Sequence, residues 1–240
     1  MNKMLLPTDV VGGSFWLLSM AMIGAAIFFL MERNNVAHKW RTTMALLGVT
    51  MLITAIFYHY AKGMWVQTGE APIILRYIDW ILSQPMQVVL FYVMLTAVSQ
   101  VSSALFWRLL IGSLIMVIGG FLGYAGYMSA TLGFIISVIG WLYILGELYM
   151  GEAGKANLES GNESTNMAFN GLRLIVTIGW AIYPLGYFIN NLGGGVDTNS
   201  LNIIYNLADF LNKIIFGFVI YRAVVNDSKA LRDSAKEATK

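Results

Sequence analysis

Lys213 lies within the apolar stretch from Leu201 to Ile220, and Asp209 stands one helical turn before it. An ammonium group inside a membrane-type segment is costly, so such a lysine needs either a partner or a chemical task. A second set, Arg76, Asp79 and Ser83, recurs at spacings of three and four, which lines all three side chains along one helix face. Two carboxylates, an arginine and a lysine at similar depth can neutralise one another if their helices face each other. The same spacing also suits a salt-bridge cluster that only pins helices together.

The elements that must position these residues are read from the hydropathy. The chain is 58% hydrophobic and 12% charged, with a mean hydropathy of +0.66, far from the averages of soluble domains. It reads as an all-α, polytopic membrane protein. Seven apolar spans, at about 11–32, 42–63, 73–98, 104–124, 127–150, 166–190 and 200–224, are each long enough to cross roughly 30 Å of hydrocarbon. They form one seven-helix domain over residues 1–240, followed by a short tail at 226–240. The longest separator, Gly151 to Thr165, reads as a flexible loop. The first span has no basic segment or small-residue cleavage site before it and is expected to be a retained helix. Without cysteine, and with His38 and His59 as the only imidazoles, no metal centre is expected. A net charge of +2, with basic residues gathered in loops and tail, gives no nucleic-acid surface.

Lysine and arginine set the expected orientation, because cytoplasmic loops carry their excess. Arg33, Lys39, Arg41, Arg108, Lys155, Arg173 and the tail residues Arg222, Lys229, Arg232, Lys236 and Lys240 fall on one side, whereas Lys3 and Lys62 fall on the other. That places the N-terminus outside and the C-terminus inside, in the plasma (inner) membrane. Trp16, Trp40, Trp65 and Trp107 near span ends are expected to be interface anchors.

Three strings, Arg76-Tyr-Ile-Asp-Trp80, Gly179-Trp-Ala-Ile-Tyr-Pro184 and Ile204-Tyr-Asn-Leu-Ala-Asp-Phe-Leu-Asn-Lys213, closely resemble the helix C, F and G signatures of proteorhodopsins. Gly13-Ser-Phe-Trp16, Met31-Glu-Arg33, Gly63-Met-Trp65 and Gly146-Glu-Leu-Tyr-Met-Gly-Glu152 are similar too, so the likeness runs from about residue 11 to 226. The chain thus resembles a microbial (type 1) rhodopsin of the proteorhodopsin family.

The resemblance implies that Lys213 carries all-trans retinal as a Schiff base. It makes Asp79 and Asp209 the counterions, Asp79 also the proton acceptor, and Arg76 the residue that tunes it from the extracellular side. Trp80, Trp180, Tyr183 and Tyr187 match retinal-pocket positions, joined by Trp141 and Tyr205. Pro184 is expected to bend span six and Pro85 to kink span three. Gln87 occupies the colour-tuning position, where glutamine resembles the blue-absorbing members.

Three departures stand out. In the family a glutamate three turns inward of the acceptor returns the proton, and here that position is Leu90, roughly 16 Å from Asp79 along the axis. Leucine holds no proton, and Glu147, near the end of span five, reads as an end contact, so the Schiff base is expected to recover its proton slowly from bulk water. The family's helix B histidine falls on Phe57, with His59 two residues on and turned away. Tyr124 stands where the family has an extracellular glutamate.

By resemblance, then, the expected function is a slow, light-driven outward proton pump, and not an enzyme. The alternative is a photosensor whose long-lived state a partner, an unidentified transducer, reads. Retained Asp209 argues against inward proton pumping, Asp79 against chloride pumping, and Asp79, Ser83 and Leu90 against the Asn-Asp-Gln triplet of sodium pumps. The lipid bilayer is the expected surrounding, and a homo-oligomer, pentamer or hexamer, is expected by resemblance.

Overall fold

The computed structural model describes residues 4–239; Lys3 and Lys240, counted in the charge bias, lie outside them. Ten α-helices follow in order: α1 (Val10–Glu32), α2 (Arg41–Thr68), α3 (Ile73–Thr96), α4 (Ser103–Tyr124), α5 (Ala130–Tyr149), α6 (Glu152–Glu159), α7 (Glu163–Leu174), α8 (Ile182–Asn191), α9 (Thr198–Asp209) and α10 (Phe216–Glu237). Two wide π-helical stretches, Ile175–Gly179 and Phe210–Ile215, join α7 towards α8 and α9 to α10. Among the described residues, seven spans are long and apolar enough to cross a membrane.

The helix starts follow local chemistry. Asp9, Ser129, Asn162 and Asp197 each accept a hydrogen bond from a first-turn amide that has no carbonyl partner of its own, at 2.8, 3.3, 2.9 and 2.9 Å. Gly69 stops α2 with φ +73°, a left-handed value that glycine adopts without strain. Pro184 cannot donate to the carbonyl of Trp180, and the sixth span is interrupted there: the Tyr183 amide takes that carbonyl at 3.1 Å, while the Trp180 amide reaches back to Ile175 at 3.2 Å. Pro85, by contrast, lies inside an unbroken α3.

The spans pack in a ring: α1 on α2, α2 on α3, α3 on α4, α4 on α5, α5 on α8, α8 on α9 and α9 back on α1, with α10 against α7. Small residues set the closest approach. A Cβ on Gly133 of α5 would lie 2.6 Å from the Gly123 Cα of α4, and one on Gly140 would lie 2.7 Å from the Met116 nitrogen. The outer surface exposes Ile56, Ile111, Ile139 and Leu185, while Arg76, Asp79, Asp209 and Lys213 are buried at the centre. This inverted distribution suits a lipid surrounding.

Three expectations change. The Gly151–Thr165 stretch is not a loop throughout, because Glu152–Glu159 forms α6, with Glu152 in its first turn and Ala153, Ala156 and Asn157 buried. The last helix does not end near 224; good helix formers carry α10 through the tail to Glu237. Trp40 and Trp65 are not interface anchors. Trp40 is fully buried and donates to Asp227 at 2.7 Å, and Trp65 is buried and donates to Asp9 at 3.0 Å. Trp16 and Trp107 are exposed, as anchors would be.

Candidate functional site

Lys213 sits in the π-helical stretch between α9 and α10, only 1% exposed. Its Nζ faces Asp79 on α3 at hydrogen-bonding range, donates to the Thr54 hydroxyl of α2 at 3.1 Å, and lies 3.9 Å from the Asp209 carboxylate. The two spans therefore do face each other, and the four charges singled out in the sequence converge.

The two carboxylates are held differently. Asp79 Oδ2 faces the ammonium and its Oδ1 accepts from Thr54 at 2.9 Å. Asp209 has each oxygen taken by a phenol, Tyr58 and Tyr183, both at 2.5 Å. Arg76, one helical turn before Asp79 on α3, completes the charge balance. Its Nη1 lies 3.9 Å from Asp209 and donates to Tyr58 at 3.2 Å, while Nη2 donates to Asn202 at 3.2 Å and Asn206 at 2.6 Å. The guanidinium also lies over the rings of Phe15 and Tyr205, each 5.3 Å away. Burying so many charges is tolerable only because each finds partners; removing one would leave another uncompensated.

Beside this cluster lies a pocket lined by Trp80, Trp141, Trp180, Tyr183, Pro184, Tyr187 and Tyr205 among others. Every aromatic position expected for the pocket borders it. Lys213 does not line it, but Trp80 adjoins Asp79 in sequence and Tyr183 bonds Asp209, so the cavity abuts the charges. Trp80 stands edge-on to Tyr183, ring centres 5.0 Å apart. Trp141 is pinned by donating to the Val176 carbonyl at 2.9 Å.

The other expected residues fall into place less uniformly. Gln87 donates to the Asn212 carbonyl at 2.5 Å, next to Lys213. Ser83 is buried, but its hydroxyl has no protein partner and does not hold Asp79. Leu90 is fully buried, eleven residues beyond Asp79 on α3, as are Val88, Phe91 and Met94 of the same helix. Phe57 packs edge-on to Tyr58, and His59 faces outward beside Trp16 with rings 5.6 Å apart. Glu147 accepts from Arg108 at 2.9 Å, tying the ends of α4 and α5.

Thr54, Tyr58, Asn202, Asn206 and Asn212 escaped sequence reasoning. A signal existed: residues 54 and 58 are four apart, and 202, 206, 209 and 213 repeat at spacings of four, three and four, so each set shares a helix face.

The family described as "Bacteriorhodopsin-like protein" matches residues 10–227. A blue-light absorbing proteorhodopsin from Gamma-proteobacterium Hot 75m4 is 46% identical over 223 residues, covering 92% of this chain and 88% of that protein. A green-light absorbing proteorhodopsin from Gamma-proteobacterium EBAC31A08 is 42% identical over 222 residues, covering 92% and 89%. The crystal structure of a blue light-absorbing proteorhodopsin from Med12 superposes with a TM-score of 0.79 at 41% identity, covering 91% of this chain and all of that one. The chain belongs to the bacteriorhodopsin-like family of microbial rhodopsins and is proteorhodopsin-like within it.

Proposed function

We propose that this chain is a light-driven outward proton pump with slow proton recovery, seated in the plasma membrane with its N-terminus outside and C-terminus inside. The observation that carries the reading is the Lys213 amine, 1% exposed, set against Asp79 with Asp209 3.9 Å away.

The residues present fit the retinal that rhodopsins bind. A buried primary amine can condense with an aldehyde, two carboxylates stand ready for the resulting cation, and an aromatic-walled cavity adjoins them. Trp80, Trp141, Trp180, Tyr183, Pro184, Tyr187 and Tyr205 would hold the polyene, in its all-trans form at rest. When bound, retinal supplies a light-driven change of shape at the Lys213 nitrogen.

This chain's own groups then divide the proton work. Asp79 directly contacts that nitrogen and accepts its proton. Asp209, held by two phenols and facing Arg76, holds the field in place. Arg76, braced by Asn202 and Asn206, offsets the second carboxylate so that one, and not two, negative charges remain to be neutralised at the nitrogen. Leu90 fills the position where a donor carboxylate is expected, and with Val88, Phe91 and Met94 it makes the inner half a dry barrier. The returning proton must come from bulk water across it, so recovery slows as pH rises. The Gln87 amide, beside the residue that precedes Lys213, supports blue to blue-green absorption.

The same slow recovery suits a sensor, so the deciding experiment is transport. Expressing cells given retinal are illuminated in an unbuffered suspension with a pH electrode. Acidification abolished by a protonophore is the expected result. Unchanged pH with intact colour would favour a sensor, and alkalinisation would mean inward transport.

A further inference from the structure

Of the groups around Asp79, one hydroxyl touches both ends of the proton path. Thr54 Oγ1 donates to Asp79 Oδ1 at 2.9 Å and accepts from Lys213 Nζ at 3.1 Å, closing a ring of nitrogen, carboxylate and hydroxyl. A hydroxyl has one proton and two lone pairs, and here the proton goes to the carboxylate and a lone pair to the ammonium. Thr54 is fully buried, so bulk water cannot take its place. The nearer hydroxyl in sequence, Ser83, four residues after Asp79 on the same helix, bonds no protein group. On α2 itself Phe57 has no polar atom, and His59 faces outward.

We propose that Thr54 is the positioning residue for proton transfer: it aims the Asp79 carboxylate at the Lys213 nitrogen and stabilises its charged form before light. The proposal rests on the proton-transfer reading above. The step breaks an N–H bond at Lys213 and forms an O–H bond at Asp79 Oδ2, so one cation and one anion become two neutral groups. A hydrogen bond donated to a carboxylate favours its ionised form, and its loss makes protonation easier. The other charged or titratable groups facing this pair are Asp209, Arg76, Tyr58 and Tyr183. All of them remain in a Thr54 variant, so a change isolates the hydroxyl.

The test titrates the visible spectrum of retinal-reconstituted protein with acid, for the unsubstituted chain and for Thr54→Val, Thr54→Ser and Ser83→Ala. Thr54→Val should move the midpoint of the acid colour change to higher pH by about one unit. Thr54→Ser, which keeps the hydroxyl, should restore it, and Ser83→Ala should leave it in place. In light-minus-dark infrared spectra, the Asp79 carboxyl C=O band of Thr54→Val should rise in frequency, because its hydrogen bond is gone. An unmoved midpoint and band in Thr54→Val overturn the proposal. If that variant does not assemble, a shifted midpoint in Thr54→Ser overturns it instead. Failure of the unsubstituted chain to form any pigment would sink the underlying reading, which is a different outcome from a pigment indifferent to Thr54.

Discussion

The two halves of the bundle, divided at the level of Lys213, are built on opposite principles. In the half that holds Arg76, charged and amide groups fill the centre and engage one another: Arg76 with Asn202 and Asn206, Asn206 with Ser14 at 2.7 Å, Asp209 with two tyrosines. In the other half, Val88, Leu90, Phe91, Met94, Leu95 and Phe216 are buried without a charge between them, until a second cluster appears near the far end. There Asp227 of α10 accepts from Trp40, pairs with Lys39 at 2.8 Å and holds Asn162, the cap of α7. A polar network costs little where every member is satisfied, and it gives a proton somewhere to go. An apolar stretch does the reverse and seals. The difference teaches where the proposed directionality would reside: in the contrast between a polar, networked half and an apolar half, with the amine at the boundary.

The largest effect should come from removing the acceptor. Asp79→Asn is expected to abolish light-driven proton release while a coloured protein still forms, measured by the pH electrode and the visible spectrum of the same preparation. Next, Leu90→Glu places a carboxyl in the apolar half. Proton recovery after a flash should then speed up by about 10²-fold, as a positioned acid does elsewhere, and lose its pH dependence. An unchanged, pH-sensitive recovery in that variant would mean that the barrier lies somewhere other than Leu90.

Smaller effects probe the satisfied half. Tyr58→Phe removes one of the phenols on Asp209 and one partner of Arg76. Thermal unfolding should show a loss of about 1–3 kcal/mol, the cost of leaving a buried charged group short of a donor. The smallest expected photochemical change is that of Asp227→Asn. It loosens the tie between α2, α7 and α10, which should lower the unfolding temperature, yet leave the absorption maximum in place because Asp227 lies far along α10 from Lys213. A colour shift in Asp227→Asn would break the proposed separation of the two regions.

Much of this was legible in one chain because charges inside apolar spans are few. Lys213, Asp209, Asp79 and Arg76 announce themselves by the cost of burying them, and helical spacing says which share a face. The partners that complete the site were harder to see. Thr54, Tyr58, Asn202 and Asn206 are neutral polar residues, common enough in membrane helices that their shared faces stand out only once tertiary packing brings α2 and α9 against α3. Ser83 shows the converse: its spacing from Asp79 was right, but its hydroxyl has no protein partner and α2 supplies the hydrogen bond. Likewise Trp40 sits at a span end, where an interface role is the usual outcome. Only the distant Asp227, 187 positions along the chain, draws it inside.

The most direct test of the central claim is covalent. Protein mixed with all-trans retinal, treated with borohydride and digested should yield a single modified peptide, with the retinyl group on Lys213. A preparation that stays colourless, or an adduct found on an exposed lysine such as Lys62 or Lys229, would contradict the assignment of the buried amine between Asp79 and Asp209 as the seat of the chromophore.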